Sequence, residues 1–146
     1  MRMLGGLLAV LGLAAAVAVV VAAADPREKK VDTRVFELRT YYAPEGKMEA
    51  LHARFRDHTN KLFAKHGMTI IGFWVPTDAR EAQRKLVYVL AFPSLEAAKK
   101  SWAAFREDPE WLRVKDASEK DGKLVEKVES VFLKATDYSP VFSPVK

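Results

Sequence analysis

Two short stretches restrict this chain most: "MTIIGFWVP" at 68–76 and "KLVYVLAF" at 85–92. Each is apolar at almost every position, where a strand with one wet face would alternate apolar and polar residues. A strand that is greasy on both sides needs cover on both faces of its sheet. Any fold for this chain therefore has to supply two covers. Pro76 closes the first run, and Pro93 and Ser94 punctuate the second, with Ser94 placed to cap a helix. Between the two runs, "TDAREAQR" at 77–84 is a polar connection without a tight-turn signal.

The other elements follow from periodicity. "RVFELRTYY" at 34–42 reads as a strand with Phe36 and Leu38 on one side and Val35, Glu37, Arg39 and Tyr41 on the other. "APEG" at 43–46 is a turn. From Lys47 to His66 the pattern is helical. Met48, Leu51, Phe55, Leu62 and His66 form one stripe, and Arg54, Arg56, Asp57, Asn60, Lys61 and Lys65 lie opposite. Gly67 stops that helix. A second helix spans 95–107, with Leu95, Ala98, Trp102 and Phe105 on one face. It restarts at "DPEW", where Asp108 caps and Pro109 takes the first helical position, and continues to about Glu119. "KLVEKVESVFLKAT" at 123–136 is the fourth strand, and the closing "DYSPVFSPVK" is extended.

The order β-α-β-β-α-β predicts an α+β, ferredoxin-like domain: a four-stranded antiparallel sheet with both helices on one face. The chain offers no further helix for the opposite face. A second copy of the sheet is the natural cover, and two sheets packed face to face give a dimeric α/β barrel.

Ahead of this domain, residues 1–24 carry one Arg and then an unbroken apolar run ending in "AAA" before Asp25. Small residues at that point suit cleavage of an export signal. The run is also about 20 residues long, enough to span a bilayer as an uncleaved anchor. Both readings place the domain outside the cytoplasm, exported to a periplasm or secreted in the first case, and both stay open. Contact with a membrane is expected only if the segment is retained. Residues 25–33 are a charged linker, 34–140 the domain and 141–146 a tail. There is no Cys, so disulfides and lipid attachment through Cys are excluded. The net charge of +5 comes from Lys and Arg interleaved with Asp and Glu, a solvated mixed surface without the basic stripe that nucleic acid requires.

Four blocks together resemble the NIPSNAP family within the dimeric α/β-barrel superfamily: "VFELRTYYAPEGKMEALHARFRDHTNKLFAKHGM", "IGFWVP", "LVYVLAFPSLEAAKKSWAAFREDPEW" and "KVESVFLKATDYSP". They span Val35 to Pro140. The resemblance implies a ferredoxin-like domain that dimerises through its sheet. Animal members of the family are discussed as mitochondrial and vesicle-associated interaction proteins. Related barrel families include cofactor-independent monooxygenases and haem-degrading enzymes. The N-terminal export segment departs from the family pattern and puts an intracellular partner role in doubt.

Candidate ligand-binding residues are Glu37, Arg39, Tyr41, His58, Trp74 and Tyr88. Glu37 and Arg39 share a strand face about 7 Å apart and can form an ion pair. In the dimer they are expected to point into the barrel interior with Tyr41. There they would serve either as an anion or carbonyl clamp or as a structural pair. The three His residues, at 52, 58 and 66, miss the spacing of four that a helical metal pair needs, so no metal is expected. His58 either packs helix to sheet or reaches a pocket between them as acid or base; it is also the only axial ligand available to haem. Trp74, Tyr88, Trp102 and Trp111 are core or dimer-seam aromatics, and Trp74 and Tyr88 could wall a flat ligand. Tyr138 is expected to cover a barrel end or cross to the partner copy. Nucleophile elbow, phosphate loop and dinucleotide fingerprint are all missing, and no bound cofactor is implied. Two functions remain. One is a binding or interaction module with paired charges. The other is a cofactor-independent monooxygenase or isomerase for a small polar or aromatic substrate, with a chamber lined by Glu37, Arg39, Tyr41 and Trp74.

Overall fold

The structure is a computed structural model that describes residues 31–142. The expected leader at 1–24, most of the linker and the last four tail residues lie outside the described residues. Four antiparallel strands form one sheet: β1 (Val35–Tyr42), β2 (Thr69–Trp74), β3 (Lys85–Phe92) and β4 (Lys127–Lys134), in the order β2-β3-β1-β4. Strand β4 is shorter than the expected 123–136. In spatial order and direction this is the ferredoxin-like sheet anticipated from the sequence. Strands β1 and β3 are central, and β2 and β4 form the edges.

The first crossover is α1 (Met48–Arg54), a π-helical segment (Phe55–Thr59) and α2 (Asn60–Lys65). The junction residues Arg54, Phe55, Thr59 and Asn60 all keep right-handed helical dihedrals, so the backbone runs on as one helix. Within it, the Asn60 amide donates to the Phe55 carbonyl, and Thr59 Oγ1 donates to the Arg54 carbonyl at 3.2 Å, each five residues back. That wider turn falls behind the 3.6-residue period. Arg54 at the end of α1 and Phe55 are both buried, as are Thr59 and Phe63. The even stripe read from the sequence, with Arg54 on the wet side, is corrected here.

A Schellman motif ends α2. Gly67 takes φ 72°, the Met68 amide donates to the Phe63 carbonyl at 3.0 Å and the Gly67 amide to the Ala64 carbonyl at 3.1 Å. Met68 is thereby delivered to the core, 2% exposed. The connection at 77–84 holds one helical turn, α3 (Ala79–Ala82), capped by Asp78, whose Oδ1 accepts from the amides of Arg80 and Glu81. Ser94 caps α4 (Leu95–Glu107) by accepting from the Ala97 amide. Asp108 caps α5 (Pro109–Ser118), with Pro109 in its first turn.

The core lies between the helices and one face of the sheet. Phe55 meets Tyr41, Phe63, Phe73 and Tyr88 with ring centroids 5.4–6.0 Å apart, all at steep angles. Such edge contacts contribute about 0.5–1.5 kcal/mol each beyond area burial. Leu86, Tyr88, Leu90 and Phe92 complete the inward row of β3.

Among the described residues, no helix lies on the opposite face. Leu38, Val89 and Val131 pair across three strands on it, as do Phe36, Ala91 and Leu133, and Val87 lies opposite Trp74. Trp74 and Val131 are each 51% exposed. The Trp74 ring lies across Gly72, where an added Cβ would come within 2.7 Å of it. One end of this face is strapped by the tail. Arg34 grips Asp32 with Nε–Oδ1 2.9 Å and Nη2–Oδ2 2.6 Å and also donates to the Phe142 carbonyl, while the Phe142 ring meets the edge of Phe36.

The Arg34 hydrogen bond holds the Asp32 carboxyl down at about 2 against the opposing effect of burial. Because its pKa is lower folded than unfolded, this strap stabilises fully above the ordinary value of 3.8 and is lost as pH falls from there towards 2. A carboxyl-carbon NMR titration is expected to place Asp32 near 2, and Arg34→Ala to return it towards 3.8. An Asp32 that titrates normally in the intact chain would remove the strap.

Candidate functional site

Glu37 stands in the middle of β1 and is 1% exposed. Three donors from three elements close on it. Arg39 Nη1 donates to Oε1 at 2.6 Å, Ser130 Oγ on β4 donates to the same oxygen at 2.6 Å, and Trp102 Nε1 on α4 donates to Oε2 at 2.5 Å. A buried carboxylate is tolerable when it is paired and hydrogen-bonded in this way. The Arg39 guanidinium stacks 4.2 Å over the Trp102 ring and lies 5.5 Å from the Tyr41 ring centre.

Arg39 sits opposite Tyr88 in the ladder. Arg39 Nε and Tyr88 Oη are both buried without a well-formed hydrogen bond. Burial pushes the Tyr88 phenol well above its ordinary 10, so it stays neutral and able to donate. Two orphan donors thus adjoin one another beside the aromatic cluster.

The six expected site residues do not converge. Glu37, Arg39, Tyr41 and Tyr88 do come together, but on the helix-covered face, inside one protomer. The expectation that Glu37, Arg39 and Tyr41 face a chamber between two sheets is corrected. Their partner Trp102 reaches down from α4, and the polar look of that strand face reflects a buried network hydrogen-bonded around Glu37. Trp74 lies on the opposite face and shares no chamber with them. His58 is exposed on the π-helical segment. It borders a groove of about 520 Å³ against α5, lined by helix residues alone, including Asp57, Arg113 and Ala117. It reaches no pocket between helix and sheet, and its expected acid–base or haem-ligand role has no such pocket to act in. His66, read as a stripe residue, has Nε2 2.7 Å from Asp108 Oδ2. Hydrogen bonds from Lys65 and His66 hold the Asp108 carboxyl well below the usual carboxylate range. Among the described residues, no three His, Asp or Glu side chains converge as metal ligands would.

Sequence reasoning missed three contributors. Ser130 alternates with Val128 and Phe132 on the inward side of β4, and a lone hydroxyl in an apolar row was the available signal. Trp102 was visible as an apolar helix residue, but nothing local foretells where its N–H points. Arg54 had no signal, because it lies beside the apolar stripe of α1 and its polar partners, Ser118 and Glu119, are 64 and 65 positions further along the chain. It is 5% exposed, pairs with Glu119 at 2.9 Å, contacts Ser118 at 3.3 Å and lies 5.2 Å from the Trp111 ring centre. Arg54 borders a second cavity, a crevice of about 290 Å³ between α5 and the sheet, floored by Tyr41 and closed by Val125 and Val128.

A sheet of this order with its helices on one face, built around a buried carboxylate, defines a ferredoxin-like α+β domain. The NIPSNAP family profile matches residues 36–140, and the chain belongs to the NIPSNAP family. A NIPSNAP family protein of unknown function from Agrobacterium tumefaciens superposes with TM-score 0.63 at 24% identity, over 74% of this chain and 93% of that one. A second from the same organism gives 0.64 at 22% identity, over 74% and 98%. An uncharacterised NIPSNAP-like domain protein from Burkholderia xenovorans gives 0.65 at 16% identity, over 77% and 94%. Likeness at these identities speaks for the fold alone. No curated protein matches the chain.

Replacing Glu37 with Leu would leave Arg39 charged, largely buried and unpaired. It is expected to destabilise the domain by about 3–5 kcal/mol in urea unfolding, and Glu37→Leu/Arg39→Leu to recover most of that loss. A single variant as stable as the parent would show that the network carries no structural weight.

Proposed function

We propose that this chain is an extracytoplasmic, homodimeric NIPSNAP module that binds a small molecule or a protein partner and does no chemistry at Glu37. The observation that carries the dimer is the bare sheet face. Leu38, Val87, Val89, Val131 and Leu133 form an aliphatic field with Trp74 at its edge, and no helix among the described residues covers it. Leaving such a face in water forfeits about 25 cal/mol for each Å² of apolar surface. A second copy supplies a matching face through a two-fold axis, since each side presents the same patch. The apolar leader at 1–24 supports a location outside the cytoplasm.

A binding role is favoured over catalysis because Glu37 is buried and already engaged. Its two oxygens accept three hydrogen bonds and the residue is 1% exposed, so a substrate would have to displace a buried donor to reach it. The second reading, cofactor-independent monooxygenation or isomerisation of a small polar or aromatic substrate, draws on the orphan donors Tyr88 Oη and Arg39 Nε. These could hold an oxyanion. It needs a chamber beside them, and the packed rings of Tyr41, Phe55, Phe63 and Phe73 occupy that space.

Sedimentation of residues 25–146 at micromolar concentration is expected to give the mass of two chains. Val131→Glu should give single chains with unchanged helix and strand content. If the parent sediments as a single chain, the pairing is wrong. Fractionation and intact mass of the full-length protein would separate a cleaved signal from a retained anchor.

A further inference from the structure

The crevice above Tyr41 is built from distant parts of the chain. Helix α5 contributes Trp111 and Lys115, four residues apart on one helical face, and the residue after it, Glu119, extends the line. The connector to β4 contributes Lys123, and Arg54, the last residue of α1, enters from the other side. Two aromatic rings and three cations face a single carboxylate. That carboxylate, on Glu119, is already engaged by Arg54 Nη1 at 2.9 Å.

Three features set this crevice apart from ordinary surface relief. Arg54 is 5% exposed, and its Nε has no partner, an unmet donor in a dry place. Leaving such a group unsatisfied costs about 1–3 kcal/mol. Lys115 and Lys123 add positive charge at the rim, and neither has an acidic partner among the described ion pairs. The cavity volume of about 290 Å³ lies at the small end of the range of about 300–1,000 Å³ for organic ligands. The groove beside His58 is larger and shares Arg54, but its lining holds no Phe, Tyr or Trp and includes the carboxylate of Asp57. The pocket on the bare sheet face is apolar and belongs to the pairing surface already described.

We infer that this crevice binds a small aromatic monocarboxylate, its ring between Tyr41 and Trp111 and its charge among Arg54, Lys115 and Lys123. A second negative charge would be repelled by Glu119, and a ligand without a flat apolar body would leave the rings unfilled. The inference deepens the binding-module reading, but it rests on the helix side of the sheet, so it stands or falls apart from dimerisation.

Benzoate is the probe, with benzamide as its neutral isostere and inorganic phosphate as an anion without a ring. Binding is followed through the Trp111 indole N–H in two-dimensional NMR, on the intact domain and on Val131→Glu in parallel. The expected result is saturable benzoate binding at the Trp111 signal in both proteins, with benzamide and phosphate much weaker. Lys115→Glu/Lys123→Glu changes only exposed side chains. It should cut benzoate affinity by about tenfold or more, equivalent to 1.4 kcal/mol or more, with an unchanged thermal midpoint. Lys100→Glu, on α4 away from the crevice, should leave affinity unchanged. Benzamide binding as well as benzoate, phosphate competing as an equal, no movement of the Trp111 signal, or a charge-reversed variant that still binds would each overturn the assignment. Binding that survives in single-chain Val131→Glu leaves the crevice intact whatever becomes of the dimer. A dimer that ignores benzoate overturns the crevice alone.

Discussion

The fold is organised around one buried carboxylate. Glu37 ties the central strand to itself through Arg39, to the edge strand through Ser130 and to α4 through Trp102. These contacts join residues up to 93 positions apart. A charge in this position is costly unless it is paired and hydrogen-bonded, so the network demands that β4 and α4 both be in place. It therefore specifies strand register and helix docking together. A register slip of one residue in β4 would turn Ser130 to the bare face and leave a charged oxygen with one donor fewer.

The architecture was legible because its signals are local. Alternation, caps and stops placed the strands and helices, and Gly67, Ser94, Asp108 and Pro109 do what their chemistry suggests. The face assignment was not legible in the same way. Period-two alternation tells which residues of β1 share a side, but not which side faces the helices. The row of Glu37, Arg39 and Tyr41 looked polar and was sent to a chamber between sheets. The donors that make it compatible with burial sit far along the chain. The aliphatic row of Leu38, Val89 and Val131 is the bare face. The π turn was invisible for a different reason. One wide turn shifts the phase of everything after it, and no residue type announces it.

The two faces consequently carry different constraints. On the bare face the requirement is area: an aliphatic field that water disfavours, with Trp74 folded over Gly72 at its margin. On the helix face the requirement is directional, because Glu37, Arg39 and Tyr88 depend on angles and distances as well as on contact. The tail strap through Arg34 and Asp32 reaches the margin of the first face and leaves the second untouched.

Arg54 is the residue that stability alone explains least. A Leu at that position would fill the space beneath α5 without desolvating a charge, and replacing buried ion pairs with packed apolar side chains is often neutral or stabilising. Instead the chain keeps a guanidinium there and leaves one N–H unmet. The ion pair with Glu119 does fasten the C-terminal end of α5, where a cation is also favoured by the helix dipole. A terminal contact of that kind is worth about 0.3–1 kcal/mol at an exposed site, and up to about 2 when partly buried. The unmet donor alone costs about 1–3 kcal/mol, before any desolvation of the charge. The balance closes more readily if something outside the chain meets that donor, and the cations and rings around it fix what chemistry that something must have.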